Sequence, residues 1–199
     1  MELVLLFGVF EYALETYLDF RQLHKFRQAE VPQDIKEIVS EEQFTKAQTY
    51  NRDLKEFSLL HGFFTFFDEV VFTYFFITPW LWSKSGNFLA HLGFDPFNEI
   101  TRGAVFLLLS SLIDLVTGTP WTLYKTFVIQ ERHGFNKKTL RLFLTDTAKS
   151  FALTIVIGGP IYYVLMLIFM WGGQRFYLIV FAFVFVLTFV MMYIFPNFI

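Results

Sequence analysis

The 199-residue sequence contains no cysteine. Disulfides, thiolate nucleophiles, cysteine metal ligands and palmitoylation are therefore excluded. Charge is scarce as well: Asp, Glu, Lys and Arg make up 17% of the chain, against about 25% in ordinary soluble domains. The formal net charge is −2, which gives no electrostatic basis for nucleic-acid binding. The only histidines are His24, His61, His91 and His133, and none belongs to an H-E-x-x-H zinc pair. Glu131 precedes His133 by two positions, which is not a helix-face metal spacing. Each lone histidine reads more readily as a loop or core residue than as a ligand. No G-x-S-x-G elbow, P-loop or dinucleotide fingerprint is present. Asp68 and Asp114 lie on different apolar runs, as an aspartyl pair would require, but nothing else marks them as one. No catalytic residue, metal ligand or cofactor is expected within this sequence.

What fills the chain instead is apolar and aromatic. Hydrophobic residues make up 55%, aromatics 21%, and Phe alone numbers 29; mean hydropathy is +0.48. A membrane-crossing helix needs roughly 20 mainly apolar residues. Residues 57–81, 103–129, 151–171 and 176–198 meet that need; residues 3–20 form a shorter fifth run that carries Glu11, Glu15 and Asp19. Runs this long and non-alternating exclude a barrel, so the expected fold is all-α, an integral membrane protein with five transmembrane helices and lipid as its partner. Met1-Glu2 puts no basic residue before the first run, and no small-residue cleavage site follows it. That run is expected to be a retained helix rather than a signal peptide.

The connections differ in length and charge. Residues 21–56 are long and charged, and residues 41–60 have the periodicity of an amphipathic helix leading into the second run. In residues 82–102, Gly86, Gly93 and Pro96 mark turns. Residues 130–150 are basic. Gly172, Gly173, Gln174 and Arg175 form a tight connection that predicts an antiparallel hairpin of the last two helices. Lys and Arg fall unevenly among these segments. The first connection holds Arg21, Lys25, Arg27, Lys36, Lys46, Arg52 and Lys55, and the third holds Arg132, Lys137, Lys138, Arg141 and Lys149. The second holds Lys84 and Arg102, the fourth Arg175. Basic loops stay in the cytosol, so the C-terminus is expected there too.

Acids within apolar runs are costly, at least about 2.5 kcal/mol each on insertion scales. Asp68 and Glu69 fall in the second run and Asp114 in the third; Glu11 and Glu15 are four apart on one helix face, and Asp19 continues the stripe. Either these five candidates, Asp68, Glu69, Asp114, Glu11 and Glu15, line a polar chamber, or they pair with Lys125, Arg175 or hydroxyl groups and tie helices together. Trp80, Trp82 and Trp171 sit near span ends as an aromatic belt. Trp121 instead follows Pro120 inside a span, where Pro removes a backbone donor and predicts a kink.

The stretch Gly118-Thr119-Pro120-Trp121-Thr122-Leu123-Tyr124-Lys125-Thr126-Phe127-Val128-Ile129, followed by Glu131, Arg132, His133, Gly134, Phe135 and Asn136, resembles the CAAX prenyl protease 1 family. Tyr17-Leu18-Asp19-Phe20-Arg21-Gln22 looks like the end of that family's first helix. Val31-Pro32 and Phe44-Thr45-Lys46-Ala47-Gln48-Thr49-Tyr50 look like its first cytosolic loop. The resemblance implies an integral-membrane zinc metalloprotease of the endoplasmic reticulum and inner nuclear membrane. Seven long helices would enclose a water-filled chamber. Its substrates would be prenylated proteins, from which the last three residues of the CAAX C-terminus are removed. The family's zinc ligands, an H-E-x-x-H helix and a later Glu, lie beyond the fifth span. Residues 1–199 then correspond to the N-terminal five-helix membrane domain, and the catalytic half is absent. A fragment of the protease is one expectation. The alternative is a short, non-catalytic multispan relative that binds prenylated proteins or a catalytic partner.

Overall fold

A computed structural model describes residues 2–27, 31, 37 and 39–198; Pro32 and Lys36, used in the sequence reading, lie outside the described residues. The fold is all-helical. Six α-helices follow one another: α1 (Glu2–Phe26), α2 (Glu41–Tyr74), α3 (Ile77–His91), α4 (Glu99–Tyr124), α5 (Leu140–Trp171) and α6 (Phe176–Phe198). A π-helical segment, Lys125–Gln130, continues α4, and a 3₁₀ turn, Gly173–Arg175, joins α5 to α6.

Local chemistry sets three of the helix starts. Ser40 caps α2 through a reciprocal box: its hydroxyl accepts from the Gln43 N–H, and the Gln43 side chain accepts from the Ser40 N–H. Asn98 Oδ1 accepts from the Thr101 N–H at 3.1 Å to open α4, and Thr139 Oγ1 accepts from the Leu142 N–H at 3.3 Å to open α5. Helix α3 has no such cap. It begins after Phe76, whose φ of 53° is the left-handed conformation, uncommon for a bulky residue.

That break divides the expected run 57–81. Helices α2 and α3 meet at a bend of 66°. The expected connection 82–102 holds the end of α3 (82–91) and the start of α4 (99–102), and Gly86 is not a turn residue but lies inside α3. An added Cβ at Gly86 would approach the Arg102 guanidinium at 3.1 Å, so the glycine serves close packing of α3 on α4. Arg102 also donates from Nε to the Trp82 carbonyl at 3.1 Å and lies 4.7 Å over the Trp82 ring. Gly93, by contrast, has φ +79° and turns the chain as expected.

Among the described residues three helices are long and apolar enough to cross a membrane, Glu99–Gln130, Leu140–Trp171 and Gly173–Ile194, with the bent pair α2 and α3 as a fourth candidate. Helix α1 has 25 residues, about 37 Å of helix, so length is not what sets it apart. Its carboxylates are. Among the described residues only Leu23, Leu81, Leu89, Ile129 and Phe143 are buried large apolar side chains. Large apolar groups cover the outside instead, as on α6, where Phe181, Phe185, Phe189 and Tyr193 are exposed. A helix apolar all round is matched to lipid rather than water.

Helix pairs touch at specific places. Tyr12 of α1 stacks on Phe66 of α2 at 4.5 Å, and Lys55 Nζ meets Asp19 Oδ1 at 2.6 Å. Trp121 packs against His61 at 4.8 Å, Phe64 at 5.1 Å and Phe57 at 5.9 Å, fastening α4 to α2. Gly103 admits Tyr162 of α5, whose hydroxyl donates to the Ile100 carbonyl at 3.0 Å.

Candidate functional site

The acids expected at membrane depth fall in three places. Glu11, Glu15 and Glu69 line one groove between α1 and α2, about 230 Å³ in volume, together with Asp19, Thr16, Ser58 and Thr65. The stripe on α1 supplies three carboxylates because positions 11, 15 and 19 recur every four residues. Helix α2 adds Glu69 across the groove, beside Gly8, where an added Cβ would make an ordinary contact of 3.5 Å with Glu69 Oε1. Asp68 is exposed and does not line this groove. Asp114 lines a different one, between α4 and α5, with Ser111, Thr122, Lys138, Asp146 and Ser150. Among the described residues, none of the five candidates takes part in an ion pair; Asp19 does, with Lys55.

Pro120 lies inside α4, and hydroxyls return hydrogen bonds to the backbone around it. Thr119 Oγ1 donates to the Leu115 carbonyl, and Thr122 Oγ1 to the Gly118 carbonyl at 3.1 Å. Five residues later the helix widens into the π-helical turn Lys125–Gln130. Such turns are rare and often sit at functional places.

The loop at residues 131–136 is built as a helix cap. Gly134, at φ +73°, takes the left-handed position. The Phe135 N–H donates to the Gln130 carbonyl at 2.8 Å and the Gly134 N–H to the Glu131 carbonyl at 3.0 Å, the pair of bonds of a Schellman motif. Asn136 then ties the loop to both sides. Its Nδ2 donates to Glu131 Oε2 at 2.8 Å, and its Oδ1 accepts from the Lys138 N–H at 2.8 Å.

The same loop is braced from outside. Asp53 Oδ2 of α2 lies 2.9 Å from His133 Nε2 and 3.2 Å from the Arg132 guanidinium. Tyr50, one turn earlier, packs on His133 at 5.4 Å and on Phe135 at 4.6 Å. The hydrogen bond from His133, reinforced by Arg132, holds the Asp53 carboxyl below the ordinary aspartate range, against the opposing effect of its partial burial. The sequence singled out the loop but not Asp53. Its only local signal is that Tyr50 and Asp53 are three apart, on one face of an amphipathic helix.

Among the described residues, no three His, Asp or Glu side chains stand close enough to hold a metal ion. These residues do not fit a zinc site.

Residues 21–199 match the family described as CAAX prenyl protease N-terminal, five membrane helices. A CAAX prenyl protease 1 homolog of Arabidopsis thaliana is 38% identical over 98% of this chain and 46% of its own length. The homolog of Homo sapiens is 38% identical over 98% of this chain and 42% of its own. CAAX prenyl protease 1 of Saccharomyces cerevisiae is 30% identical over 97% of this chain and 43% of its own. The crystal structure of S. mikatae Ste24p has the same fold, with a TM-score of 0.89 at 28% identity, covering 98% of this chain and 45% of that one. The chain thus spans less than half the length of these relatives.

Proposed function

Because the chain belongs to the CAAX prenyl protease N-terminal family of five membrane helices, we propose that it forms the membrane domain of a protease acting on prenylated CAAX proteins. Its part in the whole enzyme is to build a wall of the chamber and the route by which a lipidated C-terminus reaches the catalytic zinc. That zinc and its H-E-x-x-H helix belong to the catalytic half, which corresponds to the length of the relatives not covered here. The observation that carries this reading is the match over 98% of the chain to a Ste24p structure, in sequence order and in fold.

The named residues take roles on that reading. Glu11, Glu15 and Glu69 give the wall a hydrated, negatively charged strip. Asp68 and Asp114 place further carboxylates on other faces of the bundle. Pro120 and Trp121 set the course of α4, and residues 131–136 brace the catalytic half or touch substrate beside the metal. The protein resides in the endoplasmic reticulum and the inner nuclear membrane, with residues 21–56 and 130–150 and the C-terminal end of α6 on the cytosolic side.

The test is the protein translated from its natural transcript, purified in detergent and given a farnesylated CAAX peptide with and without a chelator. Release of the terminal tripeptide that the chelator stops is the expected result. A folded protein that binds the peptide and never cuts it overturns the protease reading in favour of a binding role.

A further inference from the structure

Helix α3 is too short to cross a bilayer by itself. Its 15 residues measure about 22 Å, against a hydrocarbon core of about 30 Å. Of the 34 residues of α2, 57–74 lie beyond the basic connection and measure about 27 Å, close to that thickness before α3 begins. The chain bends by 66° at Phe75 and Phe76, so with α2 near the bilayer normal α3 runs nearer the membrane plane than the normal. On its far side, after the turn at Gly93, α4 re-enters as a span.

The surface of α3 has three distinct sides. Leu81, Ser85 and Leu89 are buried against the bundle. Ser83, Asn87 and His91 point roughly the opposite way and are exposed. Phe88 lies on the flank between these faces, and Leu92, Phe94 and Phe97 carry exposed apolar surface past the helix end. At the other end the Trp80 ring is exposed with the Lys84 ammonium 5.5 Å above it, an aromatic body with a cation that can reach the headgroups.

We infer that α3 lies in the membrane–water interface on the side opposite the basic loops, with Phe88, Leu92 and Phe94 inserted into the lipid and Ser83 and Asn87 in water. A helix with one polar face, one apolar flank and Trp beside Lys suits the boundary between headgroups and acyl chains, about 5–10 Å deep. The occupant is lipid because the helix connects two membrane helices, and lipid is what meets its flank at that level. A span is disfavoured because it would carry Lys84, Asn87 and His91 into hydrocarbon.

The experiment is spin labelling of the full-length protein in nanodiscs, with any cysteines outside this region removed; this region contributes none. Nitroxides are placed by Phe88→Cys, Leu92→Cys, Phe94→Cys, Ser83→Cys and Asn87→Cys, with Phe185→Cys on α6 as the deep-lipid reference. Power saturation compares collisions with oxygen and with a water-soluble nickel chelate. Expected is oxygen dominance at 88, 92 and 94 at a depth shallower than at 185, with nickel dominance at 83 and 87. The apolar sites are three so that loss of one labelled protein leaves the comparison intact. Nickel dominance at all five sites overturns the proposal and puts α3 in water. Depth that grades steadily along the helix from 83 to 94, without alternating between its faces, overturns it in favour of a broken span. Exclusion of both reagents at 88, 92 and 94 overturns it in favour of a protein cover.

Discussion

His133 Nε2 lies 2.9 Å from Asp53 Oδ2, joining the loop after the π-helical turn to the polar half of α2 across 80 positions of sequence. An ionised carboxylate only accepts, so Nε2 carries the proton in this pair. Both side chains are mostly shielded, at 13% and 15% exposure, whereas Arg132 is 59% exposed and adds less. Asp53→Asn and His133→Ala should each lower stability by about 1–2 kcal/mol. In a double-mutant cycle the two losses should not add. Thermal unfolding in detergent measures this, and full additivity would mean that the contact carries no coupling.

The same carboxylate gives a pH dependence with a definite sign. Its value is depressed in the folded protein, by the bond from His133 first. A depressed acid contributes stability above its unfolded value, near 3.9 or so, and that contribution disappears as pH falls through the folded value. Stability should therefore be insensitive to Asp53 from neutral pH down to about pH 5 and fall below it. The Asp53→Asn protein should lose less over that acid limb than the wild type.

Gly134→Ala should cost roughly 1 kcal/mol through the backbone alone. The position has φ +73° and an added Cβ would meet nothing within 4 Å, so crowding is not the cause. Asn, which tolerates the left-handed conformation better, should restore part of the loss. Equal melting temperatures for Gly134→Ala and wild type would remove the glycine from the cap.

Gly103→Ala should be worse, because the new Cβ collides with the Tyr162 hydroxyl and displaces its bond to Ile100. A loss of about 1–3 kcal/mol is expected for such overpacking. Adding Tyr162→Phe, which removes the oxygen in the way, should recover part of it. No recovery in the double variant would show that α4 and α5 do not close at this point.

Glu11, Glu15 and Glu69 should behave as one hydrated strip. Cys placed singly at these positions in the full-length protein should react with a membrane-impermeant thiol reagent, as carboxylates at such depth persist beside water or a partner. Protection of all three would favour a dry groove closed by the remainder of the protein.

Sidedness follows from the same Lys and Arg pattern that the sequence displays. A glycosylation acceptor inserted within residues 82–102 should be modified and one within residues 130–150 should not. The reverse pattern inverts the orientation.

The helical class, the stripe of acids on α1 and the turn at Gly134 were legible in the sequence, because each depends on spacing or on one residue's backbone freedom. Glu69 joins the stripe only once α1 and α2 pair, and no local pattern encodes that pairing. Gly86 misled for a related reason. A glycine can mark a turn or a close approach, and the approach of Arg102 is a tertiary fact. The break at Phe76 has one local signal, Pro79 in the first turn of α3, which a single run over 57–81 passes over; a bulky residue holds the left-handed conformation at the break itself. Hydropathy also placed the fifth helix's start late. Arg141, Asp146 and Lys149 depress the average, yet α5 begins at Leu140 under the Thr139 cap.

The π-helical turn Lys125–Gln130 has a consequence for how this protein can change over generations. Such a turn accommodates an extra residue relative to a plain α-helix, and one residue of α-helix corresponds to about 100° of rotation. The direction in which Arg132 and His133 leave the bundle is therefore written in the number of codons between Trp121 and Gly134, not in the identity of any one of them. Substitutions between Thr122 and Glu131 leave that count, and so the direction of the loop, unchanged. Loss or gain of one codon would swing the whole loop away from Asp53, so lineages that keep the latch are expected to vary in letters and not in length across this interval.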